Sequence, residues 1–373
     1  MKKIILVRSN QIQSDSRVEK YISFYESNDH QYEIIAWDRN NTGIEMKNIH
    51  YYRRKVGYVV GGLKAAFNRL FWFSYVVREL RKNKENNLFI HACDLDCAFP
   101  AVLYKVFFNR KVFILFDVFD WMSADIQANS NGLVRKSILW MEAQCLKWCN
   151  KLIVCEEERK TQIPNYEKYD ISILPNIPMI ADEGTILQKK DEYKFNNNKI
   201  TLSYVGWFGL GRFLDELLQL AEDGLFNLLI AGYGNKELED KCSKLQRQGI
   251  IKYFGRVDYR TGLNIQYNAD MVYAMYCKVT NNHIYAAPNK YYEAMFLGKP
   301  LLTTSGIIIG DKVTKMQTGY AVEENVPDFI NLIKSLDKND MESRGEKARK
   351  LWENEYESYT KRFLENEYSK LLD

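Results

Sequence analysis

Short apolar runs alternate with segments of helical length in this chain, stop, and then start again. In the first half the runs fall at residues 4–7, 33–37, 88–92, 112–116, 151–155 and 171–174, and helix-like stretches at 16–26, 63–82, 97–108 and 133–149 separate them. Runs such as VFILF are apolar on both faces, as a strand must be when helices cover its sheet on both sides. Alternation of this kind specifies an open α/β fold with parallel strands. The stretch LPNIPMIADEGTILQKKDEYKFNNNK then turns polar and charged after two prolines, which reads as a linker over 177–199. Beyond it the alternation resumes, with runs at 201–205, 227–231, 251–254, 271–275, 300–303 and 319–322 and helices at 213–222, 236–248, 258–268, 289–296 and 326–336. The expected organisation is a Rossmann-like domain over 1–176, the linker, a second Rossmann-like domain over 200–340, and a long charged helix over 341–373 that can pack back on the first domain. Two such domains predict a cleft, with ligands at the carboxyl ends of the strands.

The chain has the material for this. Its 373 residues suit two domains of ordinary size, and an apolar fraction of 46% with 14% aromatics fills two cores and excludes disorder. The opening MKKIILVRSN has an apolar run of four residues and turns polar at once, so it reads as a buried strand rather than a signal peptide. No stretch approaches the ~18 apolar residues of a spanning helix. The expectation is a cytoplasmic protein. Seven cysteines are scattered along the chain; Cys93 and Cys97, and Cys145 and Cys149, are four apart and lack the further paired ligands of a structural zinc. They read as small buried residues of a reducing compartment, and no metal is expected.

Two segments of the second half carry candidate chemistry. In LSYVGWFGLGRFLDELLQL a strand runs into Gly206, Gly209 and Gly211, then Arg212 and a helix. Glycines at a strand–helix turn let backbone approach a phosphate, whose charge the helix N-terminus favours, and Arg212 can grip its oxygens in pairs. The spacing is not G-x-G-x-x-G, so no nicotinamide cofactor is implied. In APNKYYEAMFLGKPLLTTSG, Pro288 pre-sets a helical first turn and Gly298 suits the position just past its end. Lys290 and Glu293, three apart, then share a helical face. A cleft-facing carboxylate there can accept both hydroxyls of a ribose, and the ammonium can meet phosphate; the alternative is a surface ion pair. No D-x-D motif of a diphosphate–metal clamp occurs in this half; Asp258 and Asp270 stand alone.

These anchors, together with LLIAGYGN, IKYFGRV and ADMVYAMY, resemble the retaining glycosyltransferases of the GT-B fold, especially the large family four. Glu293, Ala294, Met295, Gly298, Lys299 and Pro300 match the end of that family's nucleotide-sugar motif. The resemblance implies that Glu293 holds the donor ribose and Arg212 meets the pyrophosphate. Many members carry an earlier Glu where this chain has Tyr285. A subgroup concerned with capsule and lipopolysaccharide sugars has a P-N-K or P-S-K triplet instead, and APNKYYE is similar to it. In the first half, SDSRVEK resembles a D-x-R-V loop, IHACDLDCAFPA an H-A-H-D-L-D segment with Cys93 replacing the second His, and ILFDVFDW a Y-D-x-H-D/E segment with Phe119 where His is frequent. By this resemblance Asp15 and Arg17 lie on the acceptor side and His91, Asp94 and Asp120 are catalytic candidates. The bland reading of all five is strand-end caps and buried polar bridges. A retaining transfer of this class needs neither metal nor cofactor: cationic side chains and a helix dipole stabilise the departing diphosphate, and the leaving phosphate can take the proton.

Charge is uneven. Between Lys47 and Lys84 lie ten Lys or Arg and one acid, Glu79, so the segment is +9 and the rest of the chain −5, against a total of +4. Ala66, Phe67, Leu70, Phe71, Ser74 and Val77 trace one helical face in it, with Lys64, Arg69, Arg78, Arg81 and Lys82 around them. Such a helix suits the interface of an anionic membrane, unless the apolar face is simply buried on the sheet. No nucleic-acid motif accompanies the charge. The expected function is transfer of a sugar from a nucleotide-sugar donor to a saccharide acceptor, polyprenyl-diphosphate-linked, in surface-polysaccharide synthesis at the inner face of the plasma membrane. The alternatives are a nucleotide-sugar epimerase of the same fold and a catalytically silent nucleotide-sugar-binding subunit.

Overall fold

The computed structural model describes residues 2–12, 15–55, 63–83, 85, 87–125, 132–179 and 187–373, without the side chains of 63–66 and 125. The chain divides into two compact units, Met1–Pro175 with Thr360–Asp373, and Asn176–Tyr359.

The first unit is a seven-stranded parallel sheet. Its strands are β1 (Lys3–Arg8), β2 (Tyr32–Asp38), β3 (Ile49–Arg53), β4 (Leu88–Cys93), β5 (Phe113–Val118), β6 (Lys151–Val154) and β7 (Ile171–Ile173), in the spatial order β3-β2-β1-β4-β5-β6-β7. Helices α1 (Ser16–Ser27), α2 (Leu63–Lys82), α3 (Leu95–Phe107) and α4 (Gly132–Trp148) make the crossovers. Strand order reverses between β1 and β4, so their diverging carboxyl ends open a crevice there. β3 is an edge strand with no fully buried residue, which is why IHYYR does not read as an apolar run.

Two local devices set this unit's crossover helices. Asp15 caps α1 by accepting the Val18 N–H at 3.3 Å. In α3, Pro100 has no N–H to give to the carbonyl of Asp96, four residues back. That carbonyl instead accepts the indole N–H of Trp72 at 2.9 Å. The orphaned carbonyl thereby locks α2 onto α3, with Trp72, Phe73, Val76 and Leu80 turned into the core.

The second unit repeats the plan with six parallel strands: β8 (Thr201–Phe208), β9 (Asn227–Gly234), β10 (Lys252–Tyr253), β11 (Met271–Tyr273), β12 (Leu301–Thr304) and β13 (Gly319–Val322), ordered β10-β9-β8-β11-β12-β13. Its helices are α5 (Leu214–Glu222), α6 (Lys236–Arg247), α7 (Tyr259–Tyr267), α8 (Asn289–Phe296), α9 (Ile308–Met316), α10 (Val326–Ser335) and α11 (Lys338–Leu351). The reversal falls between β8 and β11. Residues 187–199 cluster with this unit rather than standing apart: Gln188 N–H, for example, donates to the Asn264 side chain at 3.1 Å.

Beyond α11 the helical run continues through two widened π turns, Trp352–Tyr356 and Leu364–Tyr368. Each contains the sequence ENEY. The first tyrosine, Tyr356, packs edge-on against Tyr292 at 5.1 Å. The second, Tyr368, donates into or accepts from His91 Nδ1 at 2.7 Å in the other unit's core. The division between units falls between these two anchors. Among the described residues no helix is long and apolar enough to cross a membrane.

Candidate functional site

At the β8/β11 switch point the turn after β8 brings Arg212 over the ring of Tyr276, 4.0 Å from its centroid. The turn is tightly held. Gly211 sits at φ +73°, where a Cβ would come within 2.6 Å of the His283 ring, so only glycine fits. Its carbonyl accepts the Cys277 N–H at 2.9 Å, and the Tyr273 hydroxyl donates to the carbonyls of Arg212 and Phe213 at 3.0 and 3.1 Å. Gly206 pairs with Gly232 within the sheet, and Gly209 lies under the Trp207 indole. One guanidinium nitrogen of Arg212, Nη1, is buried without a partner among the described residues.

Glu293 lies on α8, and its side chain is 1% exposed. The lysine pairing expected from the spacing forms, at 2.5 Å to Lys290 Nζ, but the pair is neither superficial nor open as a cleft-facing carboxylate would be. The same carboxylate oxygen accepts the Gln266 amide at 2.9 Å. Burial and Glu293 together push the Tyr259 phenol far above its ordinary range. Tyr276 feels both Arg212 and Glu293, while burial holds its phenol protonated. Gln266, Tyr259 and Tyr276 therefore belong to this constellation and were missed in the sequence. The only signal for Gln266 was a polar residue inside the apolar stripe of α7. Tyr285, where the earlier Glu of related sequences would fall, ends a one-turn helix at Asn281–Ile284.

In the first unit the predicted residues separate into two groups. Arg17 and His91 are core residues, as the alternative of buried polar bridges has it, rather than groups open to an acceptor. Arg17 holds Asp117 through two bonds, 2.6 and 3.1 Å, and gives a third to the Leu174 carbonyl at 2.8 Å. Its charge holds Asp117 ionised well below the usual carboxylate range against the cost of burial. His91 is 0% exposed, set between Tyr368 and Asp117, and burial lowers its pKa. Among the described residues His91, Cys93 and Asp117 have ligand atoms within 4.8 Å of one another. Arg17 and the Tyr21 hydroxyl already occupy the Asp117 oxygens, so the group is a polar core network. Asp117 itself was not singled out in the sequence, because its partner lies 100 residues away.

Asp94 and Asp120 instead line a cavity of about 310 Å³ at the β1/β4 switch point, with Arg8, Ser9, Asn10, Arg39, Arg69, Asp96 and Met122. Asp94 adopts φ +70°, ψ 168°, a region that non-glycine residues rarely enter. Its carboxylate clamps the site: one oxygen accepts Arg8 at 2.6 Å, the other the N–H groups of Phe119 at 3.0 Å and Asp120 at 3.3 Å. Burial, with Asp120 and Asp96 nearby, pushes its pKa up to about 6 despite Arg8. Asp15 completes the arrangement by pairing with Arg8 at 2.8 Å. Asp120 pairs with Arg159 at 3.1 Å.

The expected face of α2 is turned outward: Phe67, Leu70 and Phe71 are 59, 57 and 52% exposed. Arg54 stacks on Phe71 at 4.5 Å. Arg78 and Lys82 pair with the buried carboxylate of Glu79, which tempers their charge. Arg69 belongs to the cavity wall rather than to that surface alone. The side chain of Lys64 lies outside the described residues.

Residues 201–339 match the family model described as Glycosyl transferases group 1. The second unit thus contains a glycosyltransferase group 1 domain, and the constellation around Arg212 and Glu293 lies inside it. No curated protein matches the chain in sequence. Solved structures match along its whole length. Sucrose-phosphate synthase from Thermosynechococcus elongatus superposes with a TM-score of 0.73 at 14% identity, over 100% of this chain and 99% of that one. Anabaena HepE in complex with UDP gives 0.67 at 12%, over 99% and 100%. A trehalose-6-phosphate structure from E. coli bound with UDP-2-fluoro glucose gives 0.66 at 10%, over 97% and 98%. At such identities the likeness establishes the fold, and the fold is GT-B.

Proposed function

We propose that this protein moves a sugar from a nucleotide-sugar donor to a saccharide acceptor, with retention at the anomeric carbon and without a metal. The observation that carries the reading is Arg212: a guanidinium at the switch point of the group 1 glycosyltransferase domain, with a buried nitrogen that lacks a partner among the described residues. Leaving such a donor unpaired is costly, and the oxygens of a diphosphate would satisfy it. Structural neighbours carry UDP and a UDP-sugar analogue, which supports a nucleotide sugar as the ligand. Glu293 takes the ribose hydroxyls, Lys290 and Arg212 take the diphosphate, and the charge that develops on the leaving group falls on fixed cationic groups. The acceptor hydroxyl attacks on the face that the diphosphate leaves, and the leaving phosphate takes its proton. Asp94 and Asp120 orient acceptor hydroxyls rather than serve as obligatory bases. Arg17 and His91 hold the strand ends beneath them.

The acceptor is read as polyprenyl-diphosphate-linked and the pathway as capsule or lipopolysaccharide assembly, with the enzyme peripheral to the inner face of the plasma membrane. The exposed Phe67, Leu70 and Phe71, with Arg54 stacked on Phe71 and Arg78 and Arg81 further along the same helix, support this. Each basic residue near an anionic surface contributes about 1 kcal/mol. The test is a thermal-shift panel of nucleotides and nucleotide sugars, followed by product analysis with a lipid-linked acceptor. A nucleoside diphosphate and its sugar should raise the melting temperature by mass action, Arg212→Ala should abolish the shift, and the product should keep the donor's anomeric configuration in the presence of EDTA. A panel in which no nucleotide shifts the transition would sink the reading. Conversion of UDP-GlcNAc without an acceptor would favour an epimerase.

A further inference from the structure

We infer that the cavity of the first unit is a subsite for a phosphorylated sugar, in which Arg39 and Arg69 take the anionic group and Asp94 and Asp120 the hydroxyls. The inference rests on the acceptor reading above and names the residues that take the acceptor's charge. The charges in the cavity wall are unequally matched. Arg8 is neutralised twice, by Asp15 at 2.8 Å and Asp94 at 2.6 Å. Asp120 is matched by Arg159 at 3.1 Å. Arg39 is only loosely engaged, 3.5 Å from Asp96 and 3.3 Å from the Ser9 hydroxyl. Its Nε is buried with no partner among the described residues. Arg69, reaching the cavity from α2, has no ion-pair partner among them either. The lining holds as many Asp as Arg, but among the described residues the groups left with an unpartnered donor or no ion pair are two guanidiniums, those of Arg39 and Arg69.

A neutral sugar would leave the Arg39 nitrogen stranded. A phosphate ester, with several strong acceptor oxygens, would satisfy it and Arg69 together. Arg39 also lies over the Trp37 ring, its guanidinium 4.9 Å from the centroid, a contact that favours one orientation of its fork. The carboxylates in the same lining suit hydroxyl donors, and about 310 Å³ accommodates a small polar ligand. The anion has two possible sources: a free sugar phosphate, or the diphosphate that joins a sugar to a lipid. Arg69 sits on the same helix as the exposed Phe67, Leu70 and Phe71, which makes the second source testable on the same protein.

The experiment is calorimetric titration of the full chain with a panel of hexose and N-acetylhexosamine 1-phosphates, each against its free sugar. UDP is titrated separately as the readout of the other unit. At least one 1-phosphate should bind tenfold or more tightly than its free sugar. Arg39→Gln and Arg69→Gln should each weaken that binding by about tenfold or more and leave UDP affinity unchanged. A short-chain prenyl-diphosphate sugar that binds more tightly still, and loses the excess in Phe67→Ser/Phe71→Ser, identifies the lipid-linked source. Equal binding unaffected by that double variant identifies the free sugar phosphate. If no 1-phosphate outbinds its free sugar, or if Arg69→Gln changes nothing, the subsite is overturned. Failure of wild-type protein to bind UDP or any other nucleoside diphosphate would instead count against the transferase reading.

Discussion

Replacing Glu293 by alanine should destabilise the second unit as well as weaken donor binding. Read from sequence alone, Glu293 is a cleft-facing charge whose removal costs the fold little. In the structure it is almost fully buried, and one oxygen serves both Lys290 at 2.5 Å and Gln266 at 2.9 Å. Breaking a buried ion pair from one side costs about 3–5 kcal/mol because the other charge is left stranded. Lys290 keeps 20% of its side chain in contact with solvent, so the expected loss falls to about 2–3 kcal/mol. For a unit of this size that lowers the melting temperature by roughly 4–12 °C. Glu293→Gln keeps an acceptor for Gln266 and should lose less stability, while still losing the charge-assisted hold on the ribose. Lys290→Met/Glu293→Ala should recover part of the alanine variant's loss, since no charge remains unpaired. Calorimetric unfolding of the four proteins, with UDP titrations alongside, gives both quantities. An alanine variant that melts within a degree of wild type would refute the buried-pair argument. A glutamine variant with unchanged UDP affinity would remove Glu293 from the donor site.

Acid should destabilise the first unit through His91 and Asp117, opposed between about pH 6 and 4 by Asp94, whose raised pKa favours the folded state as it protonates. His91 has a lowered folded pKa and Asp117 a folded pKa far below normal, so each contributes stability that is lost as pH falls, His91 below about 6.5 and Asp117 below about 4. Asp117→Asn should remove the lower of these two losses in a melting-temperature profile against pH, and its persistence would reject the Arg17–Asp117 account. Tyr368→Phe deletes the hydroxyl shared by His91 and Tyr25 and should cost about 1–3 kcal/mol, measured by urea unfolding; no loss would mean that the second ENEY anchor holds by packing alone. Anionic vesicles should sediment with the protein at low salt and release part of it at 1 M, where the screening length falls to about 3 Å. Phe67→Ser/Phe71→Ser should weaken that binding, and indifference to both salt and substitution would end the membrane reading.

Both sheets were legible in the sequence because their central strands are continuous apolar runs bounded by polar turns. β3 was not: as an edge strand it buries none of its residues fully and sits in the cationic stretch, where IHYYR reads as charge. α9 was also missed, since its short apolar stretch follows β12 with only a brief turn. The face of α2 traced by Phe67, Leu70 and Phe71 was visible as a period, but not its direction. That is fixed by Trp72, which donates to a carbonyl freed by Pro100, 28 residues further along the chain. The same limit governs the site. Arg212, Lys290 and Glu293 are close in sequence to the glycines and helix starts that announce them. Arg17 with Asp117, or Arg39 with Asp96, are pairs that only the fold brings together, and nothing local distinguishes a spent charge from an open one.

That distinction is where structure adds most to function. Among the described residues two guanidinium nitrogens are buried without a partner, Arg39 Nε and Arg212 Nη1. Most other arginines near the strand ends are satisfied: Arg8 by two carboxylates, Arg17 by Asp117 and a carbonyl, Arg159 by Asp120. A buried polar donor without a partner costs about 1–3 kcal/mol, more when charged. The two exceptions are not scattered. Arg39 follows β2 and reaches the cavity at the β1/β4 reversal, and Arg212 lies at the β8/β11 reversal. In sheets of this topology the reversal is the one place where adjacent strand ends diverge and leave room for a ligand. Each also lies over an aromatic ring, 4.9 Å from the Trp37 centroid and 4.0 Å from that of Tyr276. An open cation held at the position where each half can admit a ligand is what two anion-binding sites require, one in each unit.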